Sequence, residues 1–105
     1  MKAMIVTSNE AKPIAGALQK VLELVNVSAA ICGHGNALNE FLETEPDACI
    51  ILNYGDEAKG AGSLGKKTYE IIKAAAEPHQ MIIGPQAYFE PLELYRLLGL
   101  DKKEE

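Results

Sequence analysis

Short apolar runs alternate along the chain with stretches in which apolar residues recur every third or fourth position. The runs at residues 3–6, 48–52 and 81–83 contain no polar residue. A strand without polar alternation is typical of one buried on both faces of a parallel sheet. A further run at residues 27–32 is predominantly apolar. The pattern therefore predicts four strands, the last over about residues 80–84.

The stretches between the strands have the spacing of helices with one buried face. They predict four helices: one through residues 14–25, a short one after Asn36, a third over about 64–76, and a last one from about residue 91. The positions predicted to face inward are Ile14, Ala17, Leu18, Val21, Leu22 and Val25 in the first helix, Ala37, Leu38, Phe41 and Leu42 in the second, Leu64, Thr68, Ile71, Ile72 and Ala75 in the third, and Leu94, Tyr95, Leu97 and Leu98 in the fourth.

Strands and helices alternate strictly, which predicts an α/β fold with parallel strands and right-handed crossovers. Because the strands are apolar throughout, helices must cover both faces of the sheet. We expect a three-layer α/β/α sandwich with flavodoxin-like winding and strand order 2-1-3-4. Residues 1–100 form one domain, residues 84–87 form a loop after the fourth strand, and residues 101–105 form a charged tail.

Composition narrows the range of partners. Apolar residues make up 48% of the 105 residues, charged residues 24%, and the net charge is -5. An acidic chain without a basic stripe is not expected to bind nucleic acid or an anionic membrane. The apolar runs are too short to span a bilayer, and the N-terminus does not resemble a signal peptide. Cys32 and Cys49 lie in apolar strands without metal-ligand spacing. We expect a cytoplasmic protein without a metal or cofactor.

Polar residues follow the first and third strands, and the winding brings these two strand ends together at one crevice. A ligand bound by this fold is expected in that crevice. The candidate ligand-binding residues are Ser8, Asn9 and Glu10 after the first strand and Asn53, Tyr54 and Asp56 after the third.

The segments PDACIILN, GKKTYEIIK, HQMIIG and EPLELYRLLGL resemble the middle and later parts of a bacterial response-regulator receiver domain. The resemblance covers most of the chain as a pattern of strands, helices and spacing. In that family, two acidic residues after strand one and an aspartate ending strand three bind magnesium, and that aspartate accepts a phosphoryl group. A Ser or Thr after strand four and a Lys after strand five complete the switch.

This chain departs from the family at those positions. Among residues 7–10 only Glu10 is acidic, and Asn53 occupies the place of the phosphoacceptor. An amide is not a carboxylate nucleophile. Gly84 and Pro85 end strand four, and no fifth strand supplies a lysine. The resemblance implies a degenerate receiver that has lost its phosphorylation switch and acts as a non-catalytic signalling or protein-interaction module. A protein partner or a homodimer is expected, with strand four as an exposed edge.

An alternative function comes from a glycine-rich loop that nearly matches the phosphate-binding pattern GxxxxGK[ST]. Lys67 stands where the pattern requires a hydroxyl, and Thr68 comes one residue late. The loop still predicts a small phosphate- or nucleotide-binding domain as the alternative, with a phosphorylated ligand at a helix N-terminus. Its candidate residues are Gly60, Gly62, Gly65, Lys66 and Thr68.

Two histidines and an aromatic pair carry weaker signals. His34 lies between two glycines and is predicted to be a surface turn residue, with a base or ligand as the alternative. His79 follows the third helix at the edge of the sheet opposite the crevice. Tyr88 and Phe89 form either a contact surface or a pair with one ring buried beneath the loop.

Overall fold

The computed structural model describes residues 1–53 and 64–100, which fold into a four-stranded sheet between two pairs of helices. Apolar runs without polar alternation form the strands, and amphipathic stretches form the helices. The strands are β1 (Lys2–Thr7), β2 (Ser28–Gly33), β3 (Ala48–Leu52) and β4 (Met81–Gln86). The helices are α1 (Lys12–Glu23), α2 (Ala37–Thr44), α3 (Leu64–Ala75) and α4 (Pro91–Leu97), with a single 3-10 turn, His34–Asn36, before α2.

The strand order is β2-β1-β3-β4 and all neighbouring strands are parallel. The predicted flavodoxin-like three-layer sandwich with order 2-1-3-4 is confirmed. Strand β3 lies inside the sheet and all five of its residues are buried, as its uninterrupted apolar sequence predicts. The β1–β2 register is regular, from Lys2 opposite Ser28 to Thr7 opposite Gly33.

Alternate residues of each strand point to opposite faces, so the sheet supports two separate cores. Helices α1 and α4 cover one face, which we call the α1/α4 side. Helices α2 and α3 cover the other, the α2/α3 side. The α1/α4 side buries Ala3, Ile5, Ala11, Ala15, Leu18, Leu22, Val27, Ala29, Ala48, Ile50, Leu52, Ile83, Phe89, Leu94 and Leu98. The α2/α3 side buries Met4, Val6, Ala37, Phe41, Cys49, Ile51 and Ile72.

A hydrogen bond joins the two helices of the α1/α4 side. The Tyr95 hydroxyl of α4 donates to the Val21 carbonyl of α1 at 3.0 Å. Phe89, in the segment before α4, is fully buried in the same core. Of the two readings of the aromatic pair, Phe89 is therefore the ring packed beneath the loop, while Tyr88 is 52% exposed.

The end of β4 differs from the prediction. Residues 84–86 were expected in a loop, but they continue the strand through a register shift between Ile50 and Leu52 of β3. The Asn53 backbone N–H donates to the Gln86 carbonyl at 2.9 Å, which extends the pairing. Gly84 makes the irregularity possible because its φ is +104° and a Cβ there would lie 2.5 Å from the Ile51 carbonyl oxygen.

The inward face predicted for α3 is wrong at two positions. Leu64 is 39% exposed and Ile71 is 51% exposed. The buried positions of this helix are Gly65, Thr68 and Ile72, which follow the i, i+3, i+7 spacing. Gly65 approaches the Asn53 side chain so closely that a Cβ would overlap it. This approach is consistent with a buried face formed by residues 65, 68 and 72, which leaves Ile71 outside.

Four other predicted core residues are also exposed, namely Ala17, Val25, Leu42 and Leu97. Leu42 is 55% exposed although it follows buried Phe41 in α2. Helical periodicity gives a wide apolar stripe, but a helix packed on a single sheet buries only its central positions. The residues at the margin of each stripe therefore remain in contact with solvent.

Candidate functional site

Strands β1 and β3 end side by side at the carboxyl edge of the sheet. Val6 of β1 pairs with Ile51 of β3. Ser8 lies two residues after Val6, and Asn53 lies two residues after Ile51. Ser8 is buried and Asn53 is half-buried. The structure thus brings these two predicted residues to the same level of the sheet, while Asn9 and Glu10 are exposed. Tyr54 and Asp56, predicted on the other wall of the crevice, lie outside the described residues.

The Ser8 hydroxyl is buried without a hydrogen-bond partner among the residues that the structure describes. Its neighbour Thr7 uses its own hydroxyl to donate to the Ser8 carbonyl at 3.1 Å. A buried hydroxyl without a partner costs roughly 1–3 kcal/mol. Among the buried side chains that the structure describes, Ser8 therefore has unused hydrogen-bonding capacity.

Asn53 connects the end of β3 to the start of α3. Its Oδ1 accepts a hydrogen bond from the Gly65 backbone N–H at 3.3 Å. A Cβ at position 65 would overlap the Asn53 side chain, so only glycine permits this approach. The amide oxygen satisfies one of the N–H groups that a helix leaves unpaired in its first turn.

His34 forms the second polar link at this edge. Its Nδ1 lies 2.8 Å from Thr68 Oγ1, and its Nε2 lies 3.1 Å from the Leu52 carbonyl oxygen. A carbonyl oxygen can only accept, so Nε2 carries the proton. In the neutral ring Nδ1 then accepts the proton of the Thr68 hydroxyl. His34 thus ties the segment after β2 to both β3 and α3.

This role for His34 differs from the predicted surface turn. The side chain is half-buried, and both partners are remote in sequence, at separations of 18 and 34 residues. Local sequence around two glycines carries no signal for such partners. The inward position of Thr68, which the helical spacing did predict, was the one available clue.

Helices α2 and α3 leave a groove between them on the outside of the α2/α3 side. We call it the α2–α3 groove and define it by the apolar side chains Leu38 and Leu42 of α2 and Ile71 and Ala75 of α3. A cavity of about 280 Å³ opens at its carboxyl-edge end, lined by His34, Gly35, Ala37, Leu38, Asn39, Thr68, Ile71 and Ile72. A second cavity of about 200 Å³ lies at the other end, lined by Phe41, Leu42, Glu45, Ala75, Glu77, His79 and Gln80.

The residues of the glycine-rich loop are only partly available for a phosphate. The Gly65 N–H donates to Asn53 and the Thr68 hydroxyl is bonded to His34. Lys66 is exposed in the first turn of α3. Gly60 and Gly62 lie outside the described residues. Two groups that would hold a phosphate in the alternative function are therefore already used within the protein.

Both cysteines belong to the α2/α3 side and neither is a reactive thiolate. Burial, with a smaller contribution from the Glu40 carboxylate, raises the pKa of Cys32 to about 11. Burial, followed by the neighbouring Cys32, raises the pKa of Cys49 to about 12. Since the thiolate is the nucleophilic form, the raised pKa values disfavour reaction of these thiols at neutral pH.

Across residues 1–53 and 64–100, no group of three or more His, Cys, Asp or Glu side chains is placed to hold a metal ion. The same residues include no helix that is long and apolar enough to cross a membrane. Comparison of the chain with protein-family models, curated proteins and solved structures finds no significant match.

Proposed function

We propose that this protein is a non-catalytic, receiver-like module of the cytoplasm that works by binding another protein through the α2–α3 groove. The proposal requires no cofactor. The observation that carries it is a contrast between two places. At the carboxyl edge, Asn53, His34 and Thr68 are hydrogen-bonded within the protein, whereas Leu42 and Ile71 in the groove face solvent.

The carboxyl edge supports the non-catalytic part of the proposal. In the receiver resemblance, the residue ending strand three accepts a phosphoryl group, whereas here Asn53 uses its side chain to hold the first turn of α3. His34 and Thr68 bond to each other, and the second ring nitrogen of His34 bonds to the Leu52 carbonyl. These hydrogen bonds join three segments of the chain, which supports a structural role for both side chains.

The groove supports the binding part of the proposal. Leu42 and Ile71 are 55% and 51% exposed, and they stand beside cavities that the described residues leave unfilled. Large apolar side chains grouped on a surface are typical of protein-binding sites. Each cavity offers a place where an apolar side chain of a partner would lose contact with water.

A photo-crosslinking amino acid placed at position 71 tests the binding function in extracts of the source cells. We expect a discrete crosslinked protein of constant mass, because Ile71 borders the groove. The same amino acid at position 24 is the matched control, since Leu24 is 81% exposed on the α1/α4 side. Equal products from both positions, or none from position 71, would reject the groove as the binding surface.

The second candidate is a small phosphorylated ligand at the carboxyl edge, favoured by the buried Ser8 hydroxyl, for which the described part of the chain supplies no hydrogen-bond partner. Thermal unfolding with phosphate, nucleotides and Mg²⁺ separates the two functions. We expect no rise in the melting temperature from these compounds. A rise of several degrees that disappears in both Ser8→Ala and Lys66→Ala would replace the protein-binding proposal with the ligand-binding one.

A further inference from the structure

We infer that the protein bound in the α2–α3 groove inserts a lysine or arginine side chain into the cavity that lies farther from the carboxyl edge. This amino-edge cavity, of about 200 Å³, is lined by Phe41, Leu42, Glu45, Ala75, Glu77, His79 and Gln80. The inference rests on the proposed function, because it uses the groove as a binding surface. It goes further by giving the chemical class of the partner, a segment that carries a basic side chain beside an apolar one.

The lining of the amino-edge cavity matches the two parts of a basic side chain. Phe41, Leu42 and Ala75 supply apolar surface, against which the methylene stem of a lysine or arginine packs. Glu45 after α2 and Glu77 after α3 supply carboxylates from the two sides of the groove. The described residues that line this cavity include no lysine and no arginine. The cavity therefore has an apolar floor and an acidic rim.

The two carboxylates have no cation of their own in the described part of the chain. Within residues 1–53 and 64–100, neither the Glu45 nor the Glu77 side chain forms an ion pair or a hydrogen bond. Lys73, in the last turn of α3, precedes Ala75 by two positions, which is about 200° around a helix, so it lies away from the cavity. His79 also lines the cavity, and histidine side chains are neutral at pH 8. The charge of the lining is therefore negative.

The ends of two helices add to this negative potential. Helices α2 and α3 both end beside the amino-edge cavity, α2 at Thr44 and α3 at Ala75. The last carbonyl groups of a helix carry partial negative charge and favour a nearby cation. Helix α2 has no basic residue in its last turn. A cationic group placed here is therefore attracted by two helix ends as well as by two carboxylates.

Gln80 holds the two carboxylate-bearing segments in fixed positions. Its Nε2 donates to the Pro46 carbonyl at 2.9 Å, and its Oε1 accepts from the Glu77 backbone N–H at 2.8 Å. Pro46 directly follows Glu45, so one side chain links the segment after α2 to the segment after α3. A site whose parts are held in place before binding loses less freedom when a ligand enters. The rim of the cavity is therefore organised in advance.

The cavity at the carboxyl-edge end of the groove fits a different side chain. It measures about 280 Å³, and Leu38, Ile71 and Ile72 supply most of its apolar lining. No described residue in that lining is an aspartate, glutamate, lysine or arginine, so an aliphatic side chain is the matching occupant. Because the two ends of the groove differ in charge, the partner is expected to bind in one direction.

Two small probes test the amino-edge cavity by NMR at pH 8. n-Butylguanidinium copies the stem and head of an arginine, and n-butylurea has nearly the same shape without the charge. We expect n-butylguanidinium to shift the methyl signals of Leu42 and Ala75 with a dissociation constant of about 10 mM, typical of a fragment this small. n-Butylurea should bind at least about threefold more weakly, since it gains no attraction from the carboxylates.

Neutral variants show which carboxylates hold the cation. Glu45→Gln and Glu77→Gln should each weaken n-butylguanidinium binding by about two- to fivefold, the range for exposed ion pairs, and leave n-butylurea binding unchanged. Glu23→Gln is the matched control, because Glu23 is an exposed glutamate in the last turn of α1 on the other side of the sheet. It should alter neither titration.

Glu45→Gly separates binding from folding. The φ of Glu45 is +48°, in the left-handed region where helices commonly end on glycine. A residue kept only for the fold would therefore be replaced by glycine without loss. We expect Glu45→Gly to melt at the same temperature as the wild type or higher, yet to bind n-butylguanidinium as weakly as Glu45→Gln does.

Crosslinking from position 71 extends the test to the natural partner. The crosslinked product should decline in the double variant Glu45→Gln/Glu77→Gln and persist in Glu23→Gln. Equal affinity for the two probes, no binding of n-butylguanidinium up to about 50 mM, or undiminished binding in the double variant would overturn the inference. A crosslink that the double variant does not weaken also overturns it but leaves the protein-binding function in place, whereas a wild-type chain that gives no crosslink rejects that function itself.

Discussion

The two sides of the sheet are built from the same four strands but differ in how completely they are closed. On the α1/α4 side, fifteen of the described residues are buried in one cluster, and a hydrogen bond from Tyr95 to the Val21 carbonyl joins the helices. On the α2/α3 side, seven described residues are buried and two cavities lie between the helices.

This difference assigns most of the stability to the α1/α4 side and the proposed binding surface to the α2/α3 side. Burial of apolar area contributes about 25 cal/mol per Å², so the larger cluster supplies most of the hydrophobic stabilisation. The smaller cluster leaves Leu42 and Ile71 at the surface, where they cost the folded state little and remain available to a partner. In the proposed function, the α1/α4 side holds the fold together and the α2/α3 side binds the partner.

The largest expected effect comes from the same substitution made on each side. Phe89→Ala on the α1/α4 side should destabilise the protein by about 5 kcal/mol and Phe41→Ala on the α2/α3 side by about 3 kcal/mol, the two ends of the range for buried phenylalanine. Both rings are at least 98% buried, but Phe41 already borders the cavity of about 200 Å³. Urea denaturation gives both values. If the two variants lose equal stability, or if Phe41→Ala loses more, the α1/α4 side is not the more tightly packed side.

A smaller effect is expected from the hydrogen bonds that join the helices. Tyr95→Phe should cost about 1 kcal/mol, the typical value for a lost hydrogen bond. Thr68→Val should cost less, about 0.5 kcal/mol, because His34 beside the open cavity can bond to water instead. Thermal unfolding measures the loss of stability in each variant. A larger loss in Thr68→Val would show that the α2/α3 side depends more on its hydrogen bond than the α1/α4 side does.

At neutral pH the smallest effect is expected from the thiols of the α2/α3 side, which change the stability only at high pH. The pKa of Cys49 is raised in the folded protein from 9.0 to about 12, so the unfolded chain loses this proton first. The stabilisation is fully present below pH 9 and is lost as the pH rises toward 12, by at most about 1.4 kcal/mol per pH unit. Urea denaturation at pH 8 to 10.5 should show a shallower decline in Cys49→Ala than in the wild type. Parallel declines would show that the thiol is not buried as described.

The sequence predicts the fold well because each strand is signalled locally. The apolar runs locate β1 and β3 within a residue, and strict alternation with helices leaves few possible topologies. The prediction fails only at the end of β4, where Gly84 and Pro85 suggest a loop. Their effect depends on the Ile51 carbonyl in a neighbouring strand, which local sequence does not reveal.

The site was less predictable because its contacts join distant segments. The predicted winding brings Ser8 and Asn53 to one edge of the sheet, because β1 and β3 are adjacent parallel strands and therefore end at the same edge. The bond between His34 and Thr68 depends on the rotation of α3 about its own axis. Periodicity placed Ile71 inward with Thr68, and only the close approach of Gly65 to Asn53 shows which of the two is buried.

The irregular end of β4 also limits how copies of this protein can join through their sheets. Strand β2 has no charged residue and pairs regularly along its whole length, so by itself it invites another strand. If β2 of one molecule paired with β4 of the next, the contact would repeat without closing and produce a filament. Pro85 has no N–H to donate, and the register shift beside it breaks the ladder. The two edges of the sheet are therefore mismatched, and this mismatch protects the molecule against head-to-tail polymerisation.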